Sequence, residues 1–267
     1  MGERIAFGLF LVMAGLAQAA QEPGVPTGPS SYWKLDETAG TSAANVVAGS
    51  PVANYKTGAF PVPSVTVAPL SYNTDPGVTA RSLQFNGSSQ GLTLQDFAGG
   101  LNNYTVSVWI RRTGSTGTRQ SILSFKETGG GLVLCLNEGG ANFRPRIYSN
   151  IAGAWRSVEE AFTIPLDTWV HLAATFDGTN LRLYRDLGAP TSGVFAGTLG
   201  GGTATTGIGM RNSNDQHYFP GMIDDVRMYT RALPANEVAV LAAGVPAPTG
   251  VTATGAVNEI LVSWTAP

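Results

Sequence analysis

The chain has 267 residues, of which 43% are hydrophobic and 13% are charged, and its formal net charge is −2. This length allows one large β domain or two ordinary domains, and the apolar content argues against wholesale disorder. No cluster of basic residues exceeds the pair Arg111-Arg112, so we expect neither nucleic acid nor an anionic membrane surface as a partner. The 34 Gly and 16 Pro residues favour many short strands joined by tight turns.

The first residues have the pattern of a secretory signal peptide. Arg4 precedes a weakly polar to apolar run over 5–16, which ends at the small-x-small motif Ala17-Gln18-Ala19. The run is shorter than the ~20 residues that span a bilayer. We therefore predict a signal peptide over 1–19, cleaved after Ala19 or Ala20, no transmembrane segment, and a secreted or cell-surface location. A buried N-terminal segment and a retained anchor are the alternatives. The Pro- and Gly-rich residues 20–30 predict a linker.

Strand-like alternation then begins and recurs to about residue 230. The segments 82–85 and 91–94 flank Asn86-Gly87, a dipeptide typical of two-residue hairpin turns, so a hairpin is predicted here. In the next strand, alternate residues share one face: Tyr104, Val106, Val108 and Ile110.

The second half of the chain continues this pattern. The strand over 169–176 places Val170, Leu172, Ala174 and Phe176 on one face, and Asp177-Gly178 turns it into a strand over 180–184. A further strand covers 221–229, and the only helical pattern is over 234–241. Alternation in so many segments predicts an all-β fold of two packed antiparallel sheets, each with one buried face.

Five motifs also occur in an order that resembles a known family: "YWKLDETAG", "SLQFNGSSQGLTL", "YTVSVWIRR", "WVHLAATFDGTNLRLYRD" and "FPGMIDDVRMYTRALPANEVAVL". The stretch resembles laminin G-like domains of the concanavalin A-like lectin/glucanase superfamily in bacterial secreted proteins. The resemblance implies a two-sheet antiparallel jelly roll over 31–244. The segment "YRDLGAP" departs from the family because Leu187 follows the Asp, which predicts a longer hairpin.

The last residues, 245–267, look like the opening of a fibronectin type III domain. Their second strand would place Ile260, Val262 and Trp264 on one face. Such a sandwich takes roughly 90–100 residues, so only its first two strands are present. We expect an incomplete fibronectin type III domain here, in a longer multidomain protein or a truncated gene model, with further domains after residue 267.

Catalytic patterns are weak in this sequence. Gly87-Ser-Ser-Gln-Gly91 matches the G-x-S-x-G form of a nucleophile elbow, but a strand and not a helix follows it. Glycan hydrolysis needs two carboxyl groups that flank one bond, whereas Glu159-Glu160 and Asp224-Asp225 are adjacent pairs whose side chains point to opposite faces of a strand. The prediction is a protein that is not an enzyme.

The residues that could bind soft or borderline metals are scattered along the sequence. His171, His217 and Cys135 lack the clustering that zinc requires. His171 lies on the face opposite Val170 and Leu172, and we interpret it as structural. Cys135 is the single cysteine, so no intramolecular disulfide forms, and a buried thiol is expected.

Calcium is the cofactor that the resemblance implies, at an edge of the sandwich. The candidate oxygen ligands are Asp36, Glu37, Asp224 and Asp225. Asp215, which lies in the polar stretch 211–215, is a further oxygen donor. The first and last strands of a jelly roll are commonly neighbours, which would bring the two pairs together. The alternative is that these carboxylates cap turns or form ion pairs with Arg227 and Arg231.

Carbohydrate contact would use aromatic rings as stacking platforms beside polar groups. The candidate ligand-binding residues are Trp155 and the loop residues Asn212, Asn214 and Tyr218. Other aromatic candidates away from the inner face are Trp109, Tyr148, Tyr184 and His217.

The leading hypothesis for function is therefore a non-catalytic recognition or adhesion module for a glycan or an extracellular protein, with calcium as its candidate cofactor. Alternatives are a structural spacer in a larger cell-surface protein and an accessory domain of a secreted glycoside hydrolase.

Overall fold

The computed structural model describes residues 26–37, 40–55, 62–64, 82–94, 102–125, 130–136, 142–202, 206–211, 217–243, 249–256 and 259–265. Two eight-stranded antiparallel sheets face each other across a hydrophobic core. This arrangement confirms the prediction of an all-β sandwich, and it is consistent with a jelly roll.

Sheet A contains eight strands: β1 (Ser31–Trp33), β4 (Val62–Ser64), β5 (Ser82–Asn86), β7 (Tyr104–Arg112), β12 (Trp169–Phe176), β13 (Asn180–Arg185), β14 (Thr191–Val194) and β16 (Pro220–Tyr229). Their spatial order is β14-β13-β12-β7-β16-β5-β4, and β1 also pairs with β16.

Sheet B contains the other eight: β2 (Ser42–Ala43), β3 (Ala53–Tyr55), β6 (Leu92–Leu94), β8 (Gln120–Phe125), β9 (Leu132–Leu136), β10 (Pro145–Ile151), β11 (Ala154–Glu159) and β15 (Thr206–Ile208). Their spatial order is β11-β10-β9-β8-β15-β6-β3-β2. A helix, α1 (Ala235–Ala243), follows β16. The last two strands, β17 (Thr249–Ala256) and β18 (Glu259–Thr265), pair with each other in a two-stranded antiparallel sheet.

The core lies between the sheets and is built from alternate residues of each strand. In β7 and β12 the two expected faces are confirmed, since their inward residues all belong to the buried cluster: Tyr104, Val106, Val108, Ile110, Val170, Leu172, Ala174 and Phe176. Successive side chains of a strand point to opposite faces, so the intervening residues of β7 and β12 lie on the outer face of sheet A.

The predicted hairpin at Asn86-Gly87 is wrong. β5 pairs in sheet A and β6 pairs in sheet B, so this turn carries the chain from one sheet to the other. The Asn86 Oδ1 atom accepts hydrogen bonds from the backbone N–H groups of Ser88, Ser89 and Gln90. This side-chain cap stabilises a turn that is too long for a two-residue hairpin.

Strand β16 has two different neighbours along one side. Residues 220–223 pair with β5, and residues 226–228 pair with β1. A bulge separates the two stretches, and Asp225 within it has a left-handed φ of 51°. A bulge of this kind re-aims side chains where the pairing partner changes.

The outer face of sheet A is covered at one end by α1. Val238 and Leu241 of the helix pack with Leu233 against Ala173, Tyr184 and Tyr229 of the sheet. The helix was predicted from the sequence over 234–241, and its two expected buried residues are confirmed.

The β13–β14 connection spans residues 186–190, which confirms a longer hairpin at Leu187. No helix in the described part of the chain is long and apolar enough to cross a membrane. The signal peptide over 1–19 lies outside the described residues, and the fibronectin type III identity of β17–β18 stays a prediction.

Candidate functional site

The outer face of sheet B presents aromatic and charged side chains side by side. β10 and β11 pair so that Arg146 lies opposite Glu159, Tyr148 opposite Ser157, and Asn150 opposite Trp155. The residues between them, Ile147 and Val158 among others, belong to the core. The six paired residues therefore share the outer face.

Trp155 is the most exposed aromatic residue on this face. It is 45% exposed, whereas Tyr148 is half-buried. The two residues are diagonal neighbours in the β10–β11 register, a relationship that places side chains roughly 7–8 Å apart. Aromatic rings at this spacing form a platform on which the apolar faces of consecutive sugar rings can stack.

Arg146 is held between Tyr148 and Glu159. Its guanidinium donates a hydrogen bond to the Tyr148 hydroxyl at 2.6 Å and forms an ion pair with the Glu159 carboxylate. Burial alone would lower the pKa of Arg146, but these hydrogen bonds and charges raise it. Arg144 lies 3.7 Å from the same carboxylate.

Arg119 approaches the Tyr148 ring from the β8 side. Its guanidinium carbon is 5.2 Å from the ring centroid, and that of Arg146 is 5.5 Å away. Both distances are within the range of cation–π attraction. The Tyr148 ring is thus flanked by two guanidinium groups.

At one end of this face, two glycine-containing loops pack closely against each other and against β10. Gly200 donates a backbone hydrogen bond to the Asn150 carbonyl, and Gly131 donates one to the Gly200 carbonyl. A Cβ atom at Gly200 would lie 2.6 Å from the Asn150 Oδ1 atom, and one at Gly130 would lie 2.6 Å from the Gly200 carbonyl oxygen. The close approach of the loops therefore requires glycine.

The predicted calcium ligands lie where β1 meets β16. The pairing of these strands confirms that the first and last strands are neighbours. Burial, together with the carboxylates of Asp225 and Asp36, raises the pKa of Asp224 well above its ordinary value. Asp36 therefore does lie close enough to Asp224 to repel its charge.

Three of the four predicted ligands accept hydrogen bonds from protein groups, Asp224 among them from the backbone N–H of Asp225 at 2.9 Å. Asp225 accepts a 2.5 Å hydrogen bond from the Tyr32 hydroxyl and lies 3.3 Å from the buried Arg227 guanidinium, so the expected ion pair with Arg227 is present. Glu37 accepts a hydrogen bond from the Ala44 backbone N–H. Within the described residues there is no group of three or more His, Cys, Asp or Glu side chains placed to hold a metal ion.

His171 and Ser107 form a buried pair on the outer face of sheet A. The His171 Nε2 atom is 2.8 Å from the Ser107 Oγ atom, a distance typical of a base and its nucleophile. Both side chains are buried, and desolvation, with a contribution from Arg227, lowers the pKa of His171 to about 3. The burial of both side chains fits the interpretation of His171 as a structural residue.

The remaining candidates are placed as follows. Tyr218 is 8% exposed, which leaves little of its ring for a ligand. Asn212 and Asn214 lie outside the described residues. Trp109, Tyr184 and Cys135 are buried, the last as a free thiol. The local sequence does not indicate that Arg119 and Arg146 surround Tyr148, because their positions depend on the pairing of β8, β9 and β10.

The fold and this exposed face define a jelly-roll sandwich of the lectin type. The family model for the concanavalin A-like lectin/glucanases superfamily (Laminin_G_3) matches residues 86–239. The chain belongs to this family. No curated protein matches the chain.

Several solved structures share the fold. Domain 4 of AbnA, an extracellular arabinanase from Geobacillus stearothermophilus solved in complex with arabinotriose, is 20% identical with a TM-score of 0.62, and the match covers 80% of this chain and 98% of that one. The binding domain of botulinum neurotoxin serotype D is 12% identical with a TM-score of 0.57, over 80% of this chain and 51% of that one.

A further structure of the serotype D domain, in complex with N-acetylneuraminic acid, is 14% identical with a TM-score of 0.55, over 80% of this chain and 50% of that one. The chain thus spans about half the length of the neurotoxin domains it matches. At these identities the likeness establishes the fold.

Proposed function

We propose that this protein is a non-catalytic, secreted carbohydrate-binding module, and that sugar rings stack on the outer face of sheet B. The observation that carries the proposal is the exposed indole of Trp155, diagonal to Tyr148 on a face that also holds hydrogen-bonding groups. Aromatic planes and polar groups together match the apolar faces and hydroxyl rims of sugars.

Two further observations support this function. The solved relatives include an arabinanase domain in complex with arabinotriose and a neurotoxin domain in complex with N-acetylneuraminic acid. The arabinanase domain also favours one narrower role, that of an accessory domain in a secreted glycoside hydrolase, since it is itself one domain of such an enzyme.

A non-catalytic role fits the carboxylates of the described face. Glu159 is neutralised by Arg144 and Arg146, while Glu160, its neighbour in sequence, forms an ion pair with Arg185 of sheet A. A glycosidase needs an acid and a second carboxyl group on either side of the same bond, and these two carboxylates serve different sheets.

The test is a glycan array probed with the full chain, followed by calorimetry on the glycans that bind. We expect saturable binding that Trp155→Ala abolishes with only a small change in melting temperature, because Trp155 is 45% exposed and lies outside the core cluster. Leu187→Ala, which truncates a residue that is 67% exposed on the β13–β14 loop, is the control and retains binding. Binding that survives Trp155→Ala would reject the proposal that sugars bind to the outer face of sheet B.

Calcium assistance at Asp36, Glu37, Asp224 and Asp225 is a separate proposal. Burial, and then the nearby carboxylates of Asp225 and Asp36, raise the pKa of Asp224, and a bound cation would favour its charged form. We expect the melting temperature to be higher in calcium than in EDTA, and Asp224→Asn to remove the difference. Identical melting curves in the two buffers would reject it.

A further inference from the structure

Strand β11 is the last strand of sheet B, so one of its two sides has no neighbouring strand. It has six residues, whereas the strands at the other ends of sheets A and B have two to four. Its register with β10 is regular along its whole length. An edge strand of this kind presents a row of backbone groups with which another strand can pair.

The hydrogen bonds between β10 and β11 show which backbone groups face the free side. The N–H of Glu160 donates to the carbonyl of Pro145 at 3.0 Å, so the neighbouring residue Glu159 lies at a position without hydrogen bonds to β10. Such positions alternate with hydrogen-bonded ones along an antiparallel strand. Trp155, Ser157 and Glu159 therefore all direct their backbone N–H and C=O groups away from β10.

These backbone groups have no hydrogen-bond partner in the part of the chain that the structure describes. The side chains of the same residues point to the outer face of sheet B and not along the edge. Trp155, Arg156 and Ser157 are exposed. A strand that approaches in the plane of the sheet can therefore reach the backbone of β11.

An antiparallel copy of β11 matches this edge. Only a register centred on Ser157 pairs all of the edge-facing residues, since it places Trp155 of one copy opposite Glu159 of the other and Ser157 opposite itself. Each of these pairs exchanges two backbone hydrogen bonds, as hydrogen-bonded pairs of an antiparallel ladder do.

The charges of β11 are compatible with this register. Arg156 of one copy lies opposite Val158 of the other, and no directly opposed pair carries like charges, which would destabilise the contact. The two copies of Arg156 are diagonal neighbours. Each guanidinium carbon lies over Phe195 of its own copy, 5.9 Å from the ring centroid.

We propose that the free edge of β11 is an interface with a second copy of this chain. The two edges pair antiparallel about a twofold axis at Ser157 and join the two copies of sheet B into one continuous sheet. A self-complementary contact of this kind closes after two copies. The pairing does not depend on the proposed carbohydrate-binding function, but it would place both copies of Trp155 on one continuous outer face.

The first test is a disulfide cross-link in the full chain. Ser157→Cys would bring two thiols together at a hydrogen-bonded pair, where the Cα atoms are about 5.5 Å apart, within the range that a disulfide spans. The native Cys135 is buried, which shields it from this reaction. Under mild oxidation we expect a covalent dimer on a non-reducing gel.

The matched control is Ser192→Cys in β14, the edge strand of sheet A. Ser192 is also exposed, and it also lies at a position without hydrogen bonds to the neighbouring strand, because the N–H of Phe195 donates to the carbonyl of Thr179. We expect Ser157→Cys to form the covalent dimer at least tenfold faster than Ser192→Cys at the same protein concentration.

The second test measures self-association by analytical ultracentrifugation. A small interface binds weakly, so we expect the wild-type chain to form dimers between about 10 µM and 1 mM. Ser157→Pro removes an N–H that faces away from β10 and leaves the β10–β11 ladder intact. It should weaken the dimer at least tenfold, because two hydrogen bonds are lost at the twofold axis, whereas Ser192→Pro should not.

A wild-type chain that stays monomeric at about 1 mM, with equal cross-linking of the two cysteine variants, would overturn the proposal. A dimer that both proline variants weaken equally would overturn the assignment to β11. If Ser157→Pro lowers the melting temperature so far that the protein unfolds, the ratio of the two cross-linking rates decides. Loss of glycan binding in a protein that still dimerises would reject the proposed function alone.

Discussion

Polar side chains lie on both outer faces of the sandwich, but their exposure differs. On sheet A, Ser107, His171 and Arg227 are buried, and α1 packs across part of the same face. On sheet B, Arg146 and Glu159 are partly exposed beside Trp155. Polar groups that are enclosed by protein stabilise the fold by bonding to one another, whereas those at the surface remain available to a ligand. We therefore expect substitutions on the outer face of sheet A to change stability, and substitutions on the outer face of sheet B to change the proposed ligand binding.

The largest expected effect of a single change is on the buried pair of sheet A. Arg227→Met leaves the Asp225 carboxylate buried beside one hydrogen-bond donor, the Tyr32 hydroxyl. Removal of one partner from a buried ion pair costs about 3–5 kcal/mol of unfolding free energy, measurable by urea denaturation. Arg182→Met breaks an exposed ion pair instead and should cost less than about 1 kcal/mol. Equal losses of unfolding free energy in the two variants would show that the buried Asp225–Arg227 pair stabilises the fold no more than an exposed pair does.

The next effect concerns the cover of sheet A. Leu241→Ala in α1 removes a fully buried side chain from the cluster with Tyr184 and Tyr229, and we expect a loss of ~3 kcal/mol in unfolding free energy. The control is Leu166→Ala, which truncates a side chain that is 51% exposed and should change stability by less than about 0.5 kcal/mol. A small effect at Leu241 would show that the helix is not needed to cover the sheet.

A third effect depends on pH. The pKa of His171 is lowered to about 3 by burial and Arg227, while an unfolded His has its ordinary value near 6.5. Below about pH 6.5 the unfolded state therefore binds more protons than the folded state, and stability falls as pH falls. We expect a slope of at most ~1.4 kcal/mol per pH unit between about pH 6 and 4.

The contribution of His171 is isolated by comparison with His171→Gln. Denaturation at pH 7, 6, 5 and 4 should give a shallower slope for the variant, although its stability at pH 7 is lower. The raised pKa of Asp224 acts in the opposite direction, since it favours the folded state at low pH, but it is common to both proteins. Equal slopes of stability against pH in the two proteins would contradict the assignment of this pH dependence to His171.

The smallest effect is expected on sheet B. Glu159→Gln removes the charge that Arg144 and Arg146 share at the surface, and exposed pairs contribute less than about 1 kcal/mol. Stability should therefore hardly change, and urea denaturation measures this. A loss of unfolding free energy as large as that of Arg227→Met would remove the distinction between the two faces.

Sequence patterns predicted the buried face of an element correctly where the pattern lies within that one element. The inward faces of β7 and β12 follow from alternation alone, and so does the hydrophobic side of α1. The hairpin at Asn86-Gly87 failed because the preference of that dipeptide is local, whereas the choice of sheet depends on distant partners. β5 pairs with β16, more than a hundred residues later in the chain.

The candidate site was predicted only in part for the same reason. Trp155 stood out because a tryptophan in a polar, irregular stretch has no obvious core to join. The alternation of Arg146 and Tyr148 was visible in the sequence, but nothing local indicated that Arg119 from another strand would lie on the same ring. A candidate face assembled from β8, β10 and β11 can be recognised only when the register of the strands is known.

The seam between β1 and β16 has a consequence for how the domain is made. Ser30 donates its hydrogen bonds to the carbonyl of Met228, 198 positions later in the chain. A sheet closed by such distant partners forms slowly, because a very long loop must be ordered before the contact is gained. During synthesis, the first strand must wait until nearly all of the domain has emerged, with its edge unpaired meanwhile. Folding of this domain is therefore completed only after β16 has been synthesised, and chaperones that bind unpaired strands have time to act on it.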